Sequence, residues 1–439
     1  MTRGRIILAM ALAAMQVASV AEAVQTRLSG HVESQARWFQ SSPTLGPFSA
    51  EQQEGLSGSV AVQPEWRYQT RDRKHDFAIV PFARFDADDD ERTHVDIRQL
   101  YWLYHGKGWE VLAGIDKVFW GVAESRHLVD IVNQTDLVED PDEEDKLGQI
   151  MIRLTMDLKP ALGMTRIIDR EESKQRPGWG KLSLFLLPGF RERPFPGQEG
   201  RLRASIPVDQ DNSVFTDGAK KDRVDLALRY SHTLGNWDVG LHYFHGNSRE
   251  PRLVPDRFRL DGSSPVGGYF TALIPHYDRI NQVGLDVQYT RDAWLGKFEG
   301  IVREGQGDTF GAVVAGVEYT RYQLFDSNAD LGLLVEYLYD GRDMDDPQNP
   351  VAPVTPFDND LFLGTRLSLN DVKNTTLLAG VMTDLETDER FFSVEAERRI
   401  NNNISAELLL RVFDGDEPNG AFSGIKEDDY VQFSLFYHF

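Results

Sequence analysis

The chain of 439 residues contains no cysteine. This absence excludes a disulfide framework, a thiolate metal site and a cysteine nucleophile. Beyond residue 23 the sequence also lacks any run of about 18 uncharged apolar residues, the length that a membrane-spanning helix needs. The mature protein could therefore cross a membrane only with β-strands, because a closed barrel is the other structure that satisfies every backbone polar group in lipid.

Basic residues are also in short supply. Lysine and arginine total 47 against 69 aspartates and glutamates, so the formal net charge is −22. This balance argues against nucleic acid as a partner and against binding to anionic surfaces by general electrostatics. The mean hydropathy of −0.40 is typical of a soluble protein. A transmembrane barrel has a similar average, however, because only alternate residues of its strands face lipid.

The start of the chain has the pattern of a secretory signal peptide. Two arginines precede an uncharged apolar stretch at 6–20, and an A-x-A cleavage site ends at Ala23. A membrane-spanning helix is the alternative, but the apolar stretch is short for one. We therefore predict a signal peptide at 1–23 and a single barrel domain at 24–439, since no Pro/Ser-rich linker divides the remainder.

Alternating patterns run through the rest of the chain. Val283, Leu285 and Val287, for example, are separated by a glycine and an aspartate. This is the period of a strand with one apolar face, and each run has about the ten residues that a tilted strand needs to cross a bilayer. The patterns predict eighteen strands, at 27–39, 57–69, 75–85, 94–104, 108–117, 148–158, 180–188, 222–234, 236–246, 280–291, 295–304, 310–320, 329–340, 358–369, 374–384, 390–400, 403–413 and 429–439.

The connections between these strands alternate between short turns and long polar loops. This alternation is typical of bacterial outer-membrane barrels, in which the short turns face the periplasm and the long loops face outward. The segment 159–178 fits poorly, and if it holds strands the number becomes 16 or 20. A soluble β-sandwich or propeller is the alternative architecture, but no blade repeat is visible. The fold class predicted is an all-β, transmembrane, antiparallel barrel.

The last predicted strand carries a second signal. Its apolar residues fall on one face and end on an aromatic side chain: Val431, Phe433, Leu435, Tyr437 and Phe439. This strand resembles the closing strand of bacterial outer-membrane β-barrels, in which a terminal phenylalanine is the usual assembly signal. The resemblance implies a location in the outer membrane. It also implies contacts with lipid, with lipopolysaccharide and with the barrel-assembly machinery.

The polar faces of the strands carry charges of both signs, which we expect to line the lumen. Isolated buried charges would each cost several kcal/mol, so a hydrated wall is favoured, and barrels of about 16–18 strands leave an aqueous channel. A salt-bridge lattice that only stiffens the wall is the alternative for most of these residues. The candidates for lining the pore are Arg67, Arg153, Arg229, Arg303, Glu336, Arg366, Glu407 and Arg411.

One loop is a candidate for narrowing the channel. The segment 118–147 contains Leu128, Val129, Ile131 and Val132, which need a surface to pack on. It resembles the inward third loop that forms the eyelet of general porins. A lid pinned to the rim is the alternative. The candidate constriction residues are Trp120, Arg126, Asp130, Asn133 and Asp136.

These features predict a passive, water-filled channel for small hydrophilic solutes. A dedicated pore for an anionic polymer or an organic acid is the second interpretation, favoured by arginines in the loops that include Arg191, Arg193 and Arg201. A barrel-borne hydrolase using His276, Asp278 and Asn281 is an alternative of another class. We predict no enzymatic activity, no cofactor and no metal. The oligomeric state is left open, with a homo-oligomer among the options.

Overall fold

The computed structural model describes residues 26–43, 48–49, 52–158, 179–216, 218–256, 259–260, 268–344, 350–415, 422 and 424–439. For 259–260 and 268–269 only the backbone is described. The predicted signal peptide at 1–23 lies outside the described residues, and so does the segment 159–178 whose structure the sequence left open.

Eighteen strands form one closed antiparallel barrel, in which each strand pairs with its neighbours in sequence and β1 also pairs with β18. They are β1 (Thr26–Phe39), β2 (Leu56–Gln69), β3 (His75–Asp86), β4 (Val95–His105), β5 (Trp109–Asp116), β6 (Gln149–Asp157), β7 (Lys181–Pro188), β8 (Val224–Leu234), β9 (Trp237–Asn247), β10 (Arg279–Arg291), β11 (Trp294–Glu304), β12 (Phe310–Arg321), β13 (Asp330–Asp340), β14 (Asn359–Ser368), β15 (Thr376–Asp384), β16 (Arg390–Arg399), β17 (Ile404–Asp414) and β18 (Tyr430–His438). The predicted fold class is confirmed, and every predicted strand matches an observed one to within two residues at each end.

The alternation within each strand separates an apolar exterior from a polar lumen. On β10, Val283 is 48% exposed on the outside, whereas Gln282 and Asp286 are buried on the inside. This is the reverse of a soluble β-sheet protein, in which the apolar face would be the buried one. An apolar outer band and a polar interior are what a transmembrane barrel presents to lipid and to its lumen.

Aromatic pairs mark the end of the barrel that carries the short turns. Trp237 lies 4.4 Å from Tyr289 between ring centroids, and Trp294 lies 4.7 Å from Tyr319. All four are at the turn-proximal ends of their strands. Amphipathic rings at one level are typical of the boundary between hydrocarbon and headgroups, so these residues indicate where the apolar band ends.

Small elements in the long loops cover the opposite end. The strands Val214–Phe215, Arg252–Asp256 and Ala272–Tyr277 form a three-stranded sheet, and Arg259–Leu260 pairs with Gly268–Tyr269. A short 3-10 turn at Gln210–Asn212 lies in the same loops, whereas the one at Leu324–Asp326 lies in the connection between β12 and β13, at the short-turn end. In the described part of the chain no helix is long and apolar enough to span a membrane.

The barrel closes at a tight contact around Gly30. Its N–H donates to the carbonyl of Phe439 and its carbonyl accepts from the N–H of Phe439, both at 3.1 Å. Gly30 has φ of +153°, and a Cβ here would lie 2.5 Å from the carbonyl oxygen of Gln63. Only glycine therefore fits where β1 passes between β2 and the end of β18.

Candidate pore and constriction

Residues 117–148, here named L3, connect β5 to β6 and lie inside the barrel. The apolar side chains predicted to need a wall are at most 6% exposed, and they pack on inward-facing residues of several strands, among them Phe185, Phe244, Ile280, Ile301 and Leu338. Burial of this apolar surface holds L3 against one side of the lumen. The prediction that this segment packs on the inner wall is confirmed.

Two glutamates further along the same wall bind the backbone of L3. Oε1 of Glu299 on β11 accepts hydrogen bonds from the N–H groups of Val122 at 2.6 Å and Ala123 at 2.9 Å. Glu336 on β13 accepts from the N–H groups of Glu124 and Ser125. Because a buried carboxylate needs several donors, these contacts compensate both charges. L3 therefore extends along the inner wall from β5 to β13.

Four of the five candidate constriction residues lie within these packed contacts. Oδ1 of Asp130 accepts from the N–H groups of Trp120 and Gly121, at 2.5 and 3.0 Å. The Asn133 amide donates to the carbonyl of Leu147 at 2.8 Å. Asp136 is fully buried. The sequence signal is ambiguous here, because short polar side chains serve backbone capping as readily as they line a pore.

The indole of Trp120 packs on the wall rather than facing open space. Its ring lies 5.6 Å from that of Phe185, and the guanidinium of Arg229 sits over it at 5.0 Å. Arg126, the fifth candidate, reaches Asp340 at 3.1 Å and lines a cavity described next. Whether any of the five narrows a solute path stays a prediction.

Two cavities occupy the space that L3 leaves free. The turn-side chamber, of about 940 Å³, is lined by L3 and by inward residues of β14–β18 and β1–β3. The loop-side chamber, of about 380 Å³, lies nearer the long loops. Six residues line both chambers, which are therefore adjoining: His127, Asp142, Glu144, Leu378, Glu395 and Arg411.

Arg411 on β17 lies at the junction of the two chambers. Its guanidinium is 2.9 Å from Asp142, 3.1 Å from Glu395 and 3.5 Å from Asp140. Asp140 and Asp142 belong to L3, whereas Glu395 belongs to β16. In this cluster the side of L3 that faces the chambers contacts β17, on the part of the wall that lines those chambers.

The candidate pore-lining residues divide into two groups. Arg366, Glu407 and Arg411 line the chambers. Arg229 pairs with Asp286 of β10 at 2.7 Å. Arg303 and Glu336 instead bind residues of the loops. Of the others, Arg153 lies 3.5 Å from Asp116 and Arg67 is paired with Glu65. None of these contacts tests whether the residue touches a solute.

The turn-side chamber has an excess of acid. Nine carboxylates and four basic side chains line it. Burial raises the pKa of Asp145 to about 6, and the negative charges of Glu139 and Asp136 add to this effect while Arg98 opposes it. Burial and the neighbouring Asp140 raise the pKa of Asp142 well above its usual range. Burial is thus the main cause of both shifts, and like-charged neighbours in L3 add to it.

The loop arginines are bound to carboxylates. Residues 189–223, here named L4, cross the mouth of the barrel, and Arg201 pairs with Asp428 at 2.6 Å with both side chains 1% exposed. Arg193 pairs with Glu143 at 3.1 Å. These contacts fasten L4 to distant loops. The arginines that favoured an anionic solute are therefore largely neutralised within the protein.

A further cluster joins His94, Asp136 and Glu139, whose ligand atoms lie within 4.8 Å of one another. Arg98 is 2.6 Å from Asp136 and Arg84 is 2.7 Å from Glu139. The two carboxylates are therefore neutralised by arginines without an ion. The expectation of no metal stays a prediction.

The residues considered for a hydrolase are engaged elsewhere. Asp278 accepts two hydrogen bonds from Arg252, at 2.7 and 2.9 Å, and one from Thr216. Asn281 contacts the ring of His245 at 2.7 Å. Asp278 therefore orders the small sheet in the loops by binding Arg252. The expectation of no enzymatic activity stays a prediction.

Comparisons with known proteins find similar solved structures but no family. No protein-family model and no curated protein matches the chain. The chain is similar to a mutant of the Rh. blastica porin, at 9% identity over 94% of this chain and 100% of that chain, with a TM-score of 0.42. It is also similar to Wzi of Escherichia coli, described as a carbohydrate-binding outer-membrane β-barrel, at 8% identity over 98% and 86%, with a TM-score of 0.49. Such values carry no functional information, and the closed eighteen-stranded barrel itself identifies the fold.

Proposed function

We propose that this protein is a passive channel for small hydrophilic solutes in a bacterial outer membrane. The observation that carries the proposal is the pair of adjoining chambers inside a barrel with an apolar exterior, of which the turn-side chamber is lined largely by charged and polar side chains. L3 packs against β5–β13 and leaves this space along the remaining wall. A barrel of this size that was not filled on that side would hold water.

The constriction of this channel is proposed to lie at Arg411. There Asp140 and Asp142 of L3 pair with Arg411 of β17, which also pairs with Glu395 of β16, and these contacts narrow the lumen between the two chambers. Trp120, Asp130, Asn133 and Asp136 would then support the constriction by shaping L3 rather than by touching solutes. The resemblance to the eyelet loop of porins is consistent with this division of roles.

A pore for an anionic polymer or an organic acid is supported less well. The interpretation depended on loop arginines, and Arg193 and Arg201 are paired with Glu143 and Asp428. The acid excess in the turn-side chamber also opposes an anion. We therefore retain the general channel as the proposal.

Conductance in planar bilayers tests the function directly. The purified barrel should produce discrete single-channel steps, and Arg411→Ala should enlarge them because Asp140 and Asp142 lose the partner that holds the edge of L3. Arg411→Lys keeps the charge without the planar fork and should be intermediate. Arg398→Ala, at a half-exposed arginine of β16 that pairs with Asp371, is the matched control. A folded barrel that never conducts would contradict the proposal.

Cysteine labelling tests the proposed location and orientation. The chain has no cysteine of its own, so a single introduced thiol reports one site. Asp88→Cys, on the long connection between β3 and β4, should react with an impermeant maleimide on intact cells. Asp371→Cys, on a short turn, should react only after the outer membrane is opened. The reverse pattern would invert the topology. We likewise propose contacts with lipopolysaccharide and with the barrel-assembly machinery, and we leave a homo-oligomer as an option.

A further inference from the structure

We infer that the channel selects cations over anions, and that small organic ammonium ions are the solutes that its two chambers fit. This inference rests on the proposed channel function and names its substrate class. The sequence left the preference open, because the lumen holds charges of both signs. The structure separates the charges that are paired within the protein from those that face the chambers.

The basic residues of the turn-side chamber are mostly bound to carboxylates. Arg84 pairs with Glu33 and with Glu139, each at 2.7 Å. Arg411 has three carboxylate partners, and Arg366 pairs with Glu124 at 2.6 Å. Their charges are therefore cancelled locally. Among the lysines and arginines that line this chamber in the described part of the chain, Lys117 is the one left to oppose further acid.

Four carboxylates of the same chamber have no such partner. In the part of the chain that the structure describes, no lysine or arginine nitrogen lies within 4.0 Å of them: Glu144, Asp145, Glu397 and Glu407. With Lys117 counted against them, the chamber keeps an excess of negative charge. A passage with a charged wall concentrates ions of the opposite sign and repels ions of its own sign.

The strand register places two of these acids side by side. Glu397 on β16 pairs directly with Glu407 on β17, and both side chains take the inward parity of their strands. Like charges directly opposite each other destabilise a sheet. A cation between the two carboxylates would relieve this repulsion. The pair therefore destabilises the folded barrel and attracts a cationic solute.

The loop-side chamber adds apolar surface beside the unpaired Glu144, whereas its other five carboxylates are paired with arginine or lysine. Six carboxylates and three arginines line it, together with six phenylalanines: Phe195, Phe357, Phe362, Phe391, Phe413 and Phe422. Two of these rings already face guanidinium groups, since Arg126 lies 5.4 Å from the ring of Phe357 and Arg411 lies 5.5 Å from that of Phe391. Aromatic faces attract ammonium groups and pack on their alkyl parts. An organic cation can contact the rings through both its charge and its alkyl groups, whereas an inorganic ion has only its charge.

Reversal potentials test the inference. With a potassium chloride gradient across the bilayer, the parent channel should show a permeability ratio of potassium to chloride above one. Replacing the gradient salt by choline chloride should leave the cation the more permeant ion. The double variant Glu397→Gln with Glu407→Gln should lower the potassium ratio by about twofold to fourfold, the size expected for one to two unit charges about 10 Å from the ion path in water.

The controls separate selectivity from folding and from the channel itself. Glu318→Gln, on the inward face of β12 and outside both chambers, should leave the ratio unchanged. The double variant removes a repulsion, so its thermal unfolding temperature should equal or exceed that of the parent. A conducting parent with a ratio at or below one, or an unchanged ratio in the double variant, overturns the inference and leaves the channel standing. A parent that does not conduct overturns the channel, and the inference with it.

Discussion

The carboxylate of Glu336 accepts hydrogen bonds from both the backbone N–H and the hydroxyl of Ser125, at 2.8 and 2.6 Å. The two residues are 211 positions apart in the sequence, one on β13 and the other in the loop that leaves β5. Hydrogen bonds to a charged acceptor are worth about 1.5–3 kcal/mol each. This contact and the similar one at Glu299 add to the apolar packing that holds L3 against β5–β13.

The first prediction concerns this attachment. Glu336→Gln replaces one acceptor oxygen with a donor that faces the N–H groups of L3, so the tip of L3 should detach more often. We expect noisier single-channel currents and faster protease cleavage of L3. Glu318→Gln, on the neighbouring strand, should match the parent in both measurements. Equal noise and equal cleavage in the two variants would mean that apolar packing alone holds L3.

The second prediction concerns the cover that L4 forms over the mouth. Arg201→Ala leaves the buried carboxylate of Asp428 without its partner, which costs about 3–5 kcal/mol for a buried pair. L4 should then become sensitive to limited proteolysis in the reconstituted barrel. Arg191→Ala removes a partly exposed arginine of the same loop, which lies 2.9 Å from Asp96, and should have little effect. Similar cleavage of both variants would show that the Arg201 pair does not secure the cover.

The third prediction concerns closure of the barrel. Gly30→Ala places a methyl group against the backbone of Gln63 and Pro64, and a strained φ of this kind costs about 1–3 kcal/mol. The fraction of protein that migrates as a heat-modifiable folded barrel should fall. Gly58→Ala, where the nearest atom would be 3.8 Å away, should fold like the parent. If Gly30→Ala gave the same yield of folded barrel as the parent, the tight contact around Gly30 would not be required for closure.

The fourth prediction concerns pH. Asp145 has a raised pKa of about 6, so it is mostly neutral at pH 5 and mostly charged at pH 7.5. Glu139, Asp136 and Asp140 in L3 and Arg98 on β4 are the charged groups that act on it. The turn-side chamber should therefore become more negative, and the permeability ratio of potassium to chloride should rise, as the pH increases through 6.

Asp145→Asn should remove this part of the pH dependence. Its ratio at pH 7.5 should be lower than the parental ratio at that pH and should change less between pH 5 and pH 7.5, whereas Asp72→Asn in an exposed turn should titrate like the parent. The sign for stability is opposite to that of a salt-bridged acid. Between an unfolded pKa of about 4 and the folded value, the folded state binds more protons, so its stability falls as the pH rises through that window. A parental titration curve for Asp145→Asn would assign the pH dependence to another group.

The strands were predictable because their signal is local. A strand that separates lipid from a wet lumen needs an apolar residue at every second position, whatever its neighbours are. β10 shows this in Val283, Leu285 and Val287, and the same logic located all eighteen strands. The apolar residues of L3 were informative for a related reason, since such side chains in a long loop need a wall.

The roles of the lumen charges were not predictable from that signal. Arg229 and Arg366 have the same inward parity, yet Arg229 is paired with Asp286 of β10 beneath Trp120, whereas Arg366 pairs with Glu124 of L3 and lines a chamber. The difference depends on which side of the barrel L3 packs against, and that choice joins residues more than 200 positions apart. Alternation along a strand thus determined the barrel. Only the closed tertiary structure decided which charges hold L3 and which face the open space, because those pairings form across the lumen and leave no local pattern.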